Sequence, residues 1–247
     1  MNPTPKIIKH LIVLNVIMFI ATMLQPVVMY PLFAMHFPEN PMFRPWQIIT
    51  HMFMHGGMMH ILFNMYALWA FGSPLVFHLG QKRFLWFYLL SGLGAIAFFT
   101  AIQYYQYNNL INDLVSLGLD KNEILALLQT GKNEFFHIIS SLPSEIGVKL
   151  VKLRNIFHIT MVGASGAIYG ILVAFGIFYP NAKLMLIFFP YPIAAKYFIP
   201  LLILSDVVLG ITNYIHSPIA HFAHVGGALT GLFLMWLWRD KRNEYYF

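Results

Sequence analysis

Five tracts of this chain contain no aspartate, glutamate, lysine or arginine: residues 10–38, 45–81, 84–112, 155–182 and 207–238. Each exceeds the roughly 20 residues that an α-helix needs to cross the hydrocarbon core of a bilayer. Lipid offers no water to backbone N–H and C=O groups, so a helix, which pairs them internally, is what such a tract can form. A sixth span is expected between the turn at Pro180–Asn181 and the tract that opens at Val207. The spans read as 7–28, 58–78, 84–105, 163–180, 197–215 and 219–238. The expected fold is all-α, a polytopic membrane protein with six transmembrane helices in one domain covering 1–247. Charged residues make up only 10% of the chain, against about 25% in a soluble domain.

The charges that remain report topology. Lys6 and Lys9 precede the first span, Lys82 and Arg83 separate the second from the third, and Arg239, Lys241 and Arg242 follow the last. With Lys183 and Lys196, nine of the 15 basic residues fall in loops on one side. The positive-inside rule places that side, and both termini, in the cytoplasm. A bacterial inner (plasma) membrane is the expected location. The net charge of +6 therefore does not call for a nucleic-acid partner. The apolar run from Leu11 to Leu24 ends in Gln25-Pro26 without a small-residue cleavage site, which favours a retained first span over a signal peptide. There are no cysteines, which excludes disulfides, thiolate metal sites and a cysteine nucleophile.

Between the spans, a loop with Pro31, Pro38, Pro41 and Pro45 beside Phe37, Phe43 and Trp46 suits a semi-buried interfacial segment. Residues 106–158 interrupt the apolar pattern with five acids and five bases. Within them, 124–128 and 135–139 read as amphipathic helices, expected to lie on the outer bilayer surface. Residues 184–192 are apolar but too short to cross, and are expected to be interfacial.

Chemistry concentrates at the starts of three spans. Ser165 lies in Gly163-Ala164-Ser165-Gly166 and His224 in Ala223-His224-Val225-Gly226-Gly227. Gly166 and Gly170 are four apart, as are Gly227 and Gly231, and small residues at that spacing let membrane helices approach closely. If those grooves meet, a hydroxyl and an imidazole come within the hydrogen-bonding reach of a nucleophile and its base. His60 and Asn64, one turn apart on span two, are both donors of the kind that hold an oxyanion. His51, His55 and His60 also allow a metal reading, but no acid lies between 45 and 81 and no His-Glu-x-x-His motif is present. Neither a metal nor any cofactor is expected.

The array His51-x3-His55-x4-His60-x3-Asn64, the Gly-x-Ser-Gly at 163–166 and the Ala-His-x-Gly-Gly at 223–227, in that order, resemble the rhomboid family of intramembrane serine proteases. The resemblance covers residues 7–240 apart from the insert. It implies a Ser165–His224 dyad in a water-filled cavity. It also implies an oxyanion hole made by the Ser165 N–H, His60 and Asn64, with Tyr169 as the aromatic on which the base stacks. His55 would be a buried tether and His51 a further polar member of the array. Two departures stand out. Gln47 follows Trp46 where many bacterial members carry arginine, and the 106–158 insert is longer than the usual connection.

The function expected is an intramembrane endopeptidase, a peptide-bond hydrolase, whose partners are single-span membrane proteins and the lipid bilayer. Asp206, within span five, is expected to make a polar contact in the bundle, and no aspartate is expected to complete a triad. His221, one turn before His224, is the rival base. The alternatives are a catalytically silent rhomboid-like adaptor that binds transmembrane segments, and a polytopic transporter or metal-haem protein using the histidines.

Overall fold

The computed structural model describes residues 3–186, 189–212 and 220–238. Among these the chain is mostly helical, as an all-α membrane protein requires, and it divides into two compact units. The first comprises residues 1–35, 44–99 and 161–247, and the second 36–43 and 100–160. Ile187, Phe188, the end of the expected span five at 213–215, the start of span six at 219, and the basic cluster Arg239, Lys241 and Arg242 lie outside the described residues.

The first unit opens with α1 (Lys6–Leu24) and α2 (Pro26–Phe33). A short helix α3 (Gln47–Thr50) runs into a 3-10 turn over His51–Phe53. Helix α4 (Met58–Ala67) continues through a π turn, Leu68–Gly72, into α5 (Ser73–Ser116). Gly80 breaks this run with φ +73, a conformation that glycine adopts without a Cβ penalty. Later elements are α9 (Ser165–Phe178), α10 (Ala195–Thr212) and α11 (His221–Leu237). Among the described residues, three helical stretches, Lys6–Leu24, Met58–Ser116 and Ala195–Thr212, are long and apolar enough to cross a membrane, and α9 and α11 are shorter apolar helices. Between α9 and α10 the segment expected to be merely interfacial is a β-hairpin. Strand β1 (Lys183–Leu186) pairs antiparallel with β2 (Phe189–Ala194), Lys183 opposite Ala194 and Leu186 opposite Phe189.

Polarity in this unit is arranged for lipid. Val13, Ile17 and Ile20 of α1, Leu201, Leu204, Val208 and Ile211 of α10, and Leu229, Leu232, Phe233 and Trp236 of α11 are exposed. Asn15, Gln47, His51, His55, Asn64, Ser91, Asp206 and His221 are buried. An apolar exterior of this extent has no place in water.

Glycines set the closest helix contacts. A Cβ on Gly227 would collide with the carbonyl oxygen of Gly166, and one on Gly231 would lie 2.5 Å from Gly170 Cα. The grooves read from the sequence on α9 and α11 do meet, backbone against backbone. On its other side α11 packs on α5, where Gly94 faces Thr230 and Gly226 faces Phe98. Helix α10 turns one stripe inward, with Ala195, Ile199, Asp206 and Gly210 buried. A Cβ on Gly210 would lie 3.1 Å from the Phe222 ring, and one on Gly176 of α9 would lie 3.0 Å from Ile199.

The second unit holds the end of α5 with α6 (Lys121–Gln129), α7 (Lys132–Ile139) and α8 (Ser144–Phe157). The amphipathic segments expected at 124–128 and 135–139 are helices, and they enclose a core of their own. Ile124, Leu128, Phe135, Leu150, Leu153 and Phe157 pack together with Ile111 and Leu114. Asp120 caps α6 by accepting from the backbone N–H groups of Asn122 and Glu123 at 2.8 and 3.1 Å. At the other end Arg154 donates to the carbonyls of Leu128 and Thr130 at 3.1 and 2.8 Å, and its guanidinium lies 4.5 Å from the centre of the Phe135 ring. Both ends of a nine-residue helix, too short to be stable alone, are thus tied.

Candidate active site

The site is assembled from the starts of α9 and α11, the middle of α10, and α4 with the segment leading into it. Ser165 is the first residue of α9, so its backbone N–H lies among those with no carbonyl partner inside the helix. The preceding turn depends on Gly163, whose φ of +128 disfavours any side chain. The Gly163 N–H donates to the carbonyl of His51 at 2.9 Å. A Cβ on Gly163 would lie 2.7 Å from His60 Nε2 and 3.8 Å from Asn64 Nδ2. The two donors singled out on span two therefore border the turn that carries the serine.

His224 Nε2 and Ser165 Oγ are 2.9 Å apart. The His224 ring lies almost parallel to that of Tyr169, with centroids 4.2 Å apart and planes 12° apart. Tyr169 is four residues after Ser165, one turn along the same face of α9. Hydroxyl, imidazole and aromatic ring thus lie side by side.

Asp206 overturns one expectation. From the sequence Asp206 is expected to be a bundle contact with no aspartate completing a triad, yet its Oδ1 lies 3.2 Å from His224 Nδ1 and 2.5 Å from His221 Nδ1. Its Oδ2 accepts the Tyr169 hydroxyl. The signal was present, since Asp206 is the only acid from 155 to 238. What the sequence lacked was the rotation of α10 about its axis.

Ahead of α4, the loop is tied down by the residue that departs from the usual arginine. Gln47 is fully buried. Its Nε2 donates to the carbonyl of Pro31 at 2.9 Å and its Oε1 accepts from the Arg44 N–H at 3.1 Å. Trp46 Nε1 and Thr50 Oγ1 donate to the next two carbonyls, of Leu32 and Phe33, at 2.7 and 2.8 Å. His51 Nδ1 hydrogen-bonds the Gln47 carbonyl at 2.8 Å, and burial pushes its pKa down to about 4. Burial and the neighbouring His60 lower that of His55 to about 3. His55 meets His60 edge to face, with centroids 5.0 Å apart. Both rings ahead of α4 are thus neutral packing elements near pH 7.

Among the described residues, the one set of three side chains placed to hold a metal ion is Asp206, His221 and His224, with ligand atoms within 4.8 Å of one another. Those atoms already pair with each other, and the cluster reads as a hydrogen-bond network. The histidines at 51, 55 and 60 form no such set.

The rhomboid domain family matches residues 43–121 and 122–241. The chain belongs to the rhomboid family. It is similar to an uncharacterized mitochondrial rhomboid protein of Schizosaccharomyces pombe, 28% identical over 82% of this chain and 53% of that protein. It is also similar to Rhomboid protein 1, mitochondrial, of Saccharomyces cerevisiae, 26% identical over 76% of this chain and 40% of that protein. A shorter match, to Rhomboid protease GluP of Bacillus subtilis, is 38% identical over 24% of this chain and 12% of that protein. The chain spans about half the length, or less, of these curated relatives. It is an integral membrane protein. Two of the three relatives are named as mitochondrial and one is bacterial, so the names do not favour the bacterial inner membrane expected from the sequence.

Proposed function

We propose that this rhomboid is an intramembrane serine endopeptidase that cuts single-span membrane proteins. The observation that carries the reading is the 2.9 Å approach of Ser165 Oγ to His224 Nε2 at the starts of two apolar helices. His224 takes the Ser165 proton as Oγ attacks the carbonyl carbon of the scissile peptide bond. The tetrahedral oxyanion is held by the Ser165 N–H, the His60 ring and the Asn64 amide, each donor worth about 2.7–4 kcal/mol in the transition state. The imidazolium then gives its proton to the leaving amine nitrogen as the C–N bond breaks. His224 then takes a proton from water as the water oxygen attacks the acyl carbon, and returns it to Ser165 Oγ as the C–Oγ bond breaks, which releases the acid and restores the hydroxyl.

In the same proposal the chain crosses the membrane six times. The run from Met58 to Ser116 supplies two crossings on either side of Gly80, and both termini lie on the lysine- and arginine-rich face. Small residues fit best beside the scissile bond, because glycines leave little space where α9 meets α11. A silent adaptor is not favoured, since Ser165, His224, His60 and Asn64, the residues a working site would need, are all present.

Fluorophosphonate labelling of purified protein, with cleavage of co-expressed tagged single-span substrates, tests the reading. Labelling and cleavage should both vanish in Ser165→Ala, and cleavage in His224→Ala, while both variants remain folded and membrane-inserted. Cleavage at the native rate in Ser165→Ala would refute it.

A further inference from the structure

We propose that Asp206 is the positioning residue for His224, so that this chain works with three linked residues, Ser165, His224 and Asp206, and that Tyr169 and His221 hold the carboxylate in place. The inference rests on the protease reading above. An ionised carboxylate can only accept hydrogen bonds, and Asp206 has three donors around it. Tyr169 O–H reaches Oδ2, and the Nδ1 atoms of His221 and His224 lie 2.5 and 3.2 Å from Oδ1. Toward such a group each imidazole must present Nδ1–H. For His224 this fixes the tautomer: Nδ1 carries the hydrogen, so Nε2 keeps its lone pair, and it is Nε2 that faces Ser165 Oγ at 2.9 Å. The opposite tautomer would donate to the serine and could not accept its proton.

The surroundings of Asp206 explain how the carboxylate is held. It is 4% exposed on a membrane-spanning helix, where a charged side chain persists only with partners and commonly marks function. Tyr169 restrains two things at once, the plane of the His224 ring by stacking and Oδ2 of Asp206 by its hydroxyl. His221, three residues before His224 on the same face of α11, takes the shorter bond to Oδ1 and stops the carboxylate from rotating away. Its ring is nearly perpendicular to that of His224, with centroids 6.4 Å apart, so it acts on Asp206 and not on the serine. Once His224 is protonated, the adjacent carboxylate stabilises the imidazolium, as in other serine hydrolases.

The test is Asp206→Asn in purified protein, which keeps the shape and removes the charge. It should lower kcat by about 10²-fold or more while changing KM less than about threefold, with fluorophosphonate labelling of Ser165 slowed in proportion and the melting temperature retained. Proton NMR supplies a readout that a merely structural role would not move. Native protein and Ser165→Ala should each show two low-field imidazole N–H resonances. Both should disappear in Asp206→Asn, one in His221→Gln and the other in His224→Ala. Ser165-dependent cleavage with kcat of Asp206→Asn within threefold of native would overturn this inference and leave the protease reading standing. Native-rate cleavage in Ser165→Ala would remove the protease reading itself. Should Asp206→Asn fail to fold, Tyr169→Phe keeps the stacked ring but drops the hydroxyl, and kcat should fall about tenfold. An unchanged kcat there, or the absence of low-field resonances in native protein, would overturn the proposal equally.

Discussion

Replacing Gly227 by alanine should abolish the proposed cleavage by widening the seam between α9 and α11. The new Cβ would lie 2.7 Å from the carbonyl carbon of Gly166 and 3.1 Å from its Cα, and closer still to its oxygen. All three atoms are helix backbone, so no rotamer change relieves the clash. Ordinary contact begins at 3.4 Å, so the carbon requires the helices to part by about 0.7 Å, a lower bound because the oxygen requires more. Gly227 is three residues from His224, about 4.5 Å along the axis, so most of that shift reaches the site. The Ser165–His224 distance then grows from 2.9 Å to about 3.6 Å, beyond the reach of about 2.6–3.2 Å that a nucleophile and base require. A misplacement approaching 1 Å costs on the order of 10²-fold in rate. The assay is kcat/KM on a transmembrane peptide substrate in liposomes, with thermal unfolding run alongside. Gly131→Ala, where an added Cβ meets nothing within 4 Å, serves as the control and should stay near native. A folded Gly227→Ala variant within threefold of native would refute the idea that backbone contact sets the gap.

Four further outcomes are expected. Gly163→Ala should lose activity and about 1–3 kcal/mol of stability, because its φ of +128 is strained for alanine and the Cβ would press on His60; kinetics and chemical denaturation check it. Asn64→Ala should reduce kcat by about 10²–10³ if it holds the oxyanion alone, and less if His60 and the Ser165 N–H share the load, as single-turnover cleavage would measure. Gln47→Ala leaves the Pro31 carbonyl and the Arg44 N–H without the side chain that pairs them, and should cost about 1–3 kcal/mol, read from the melting temperature. Leu128→Ala, in the core of the second unit, should cost about 2–5 kcal/mol and raise hydrogen exchange across α6–α8.

The parts of the fold governed by short-range pattern were legible in the sequence. Charge-free length pointed to apolar helices, and the Gly166/Gly170 and Gly227/Gly231 spacings to a close approach of α9 and α11, because absent side chains are themselves the contact. Ser165 and His224 stand in motifs built on those glycines, whereas Tyr169 was singled out by the family resemblance. Asp206 was misjudged because its role depends on which way α10 faces, and α10 carries apolar residues all around, so its sequence shows no buried stripe. Contacts in the fold, such as Gly210 against Phe222 and Gly176 against Ile199, reveal that orientation. Amphipathic periodicity likewise pointed to α6 and α7 through 124–128 and 135–139 but not to α8, and the closure of these helices on one another depends on tertiary pairs such as Arg154 with the α6 carbonyls. The hairpin at 183–194 was hidden by its prolines, which break a helix but are tolerated on an edge strand.

Helix α9 has 14 residues, about 21 Å of rise, whereas the hydrocarbon layer is about 30 Å thick. If its C-terminal end at Phe178 rests at one edge of that layer, its N-terminal end stops about 9 Å short of the other. Ser165 would then work at the floor of a shaft sunk into the membrane. A substrate must lower its scissile bond by the same depth, about six residues of helical rise inward from the headgroups. Residues near the top of a target's span, not those in its soluble flank, would meet the serine. The register of cleavage would then follow the thickness of the lipid, with cuts moving outward along the target as the bilayer thins.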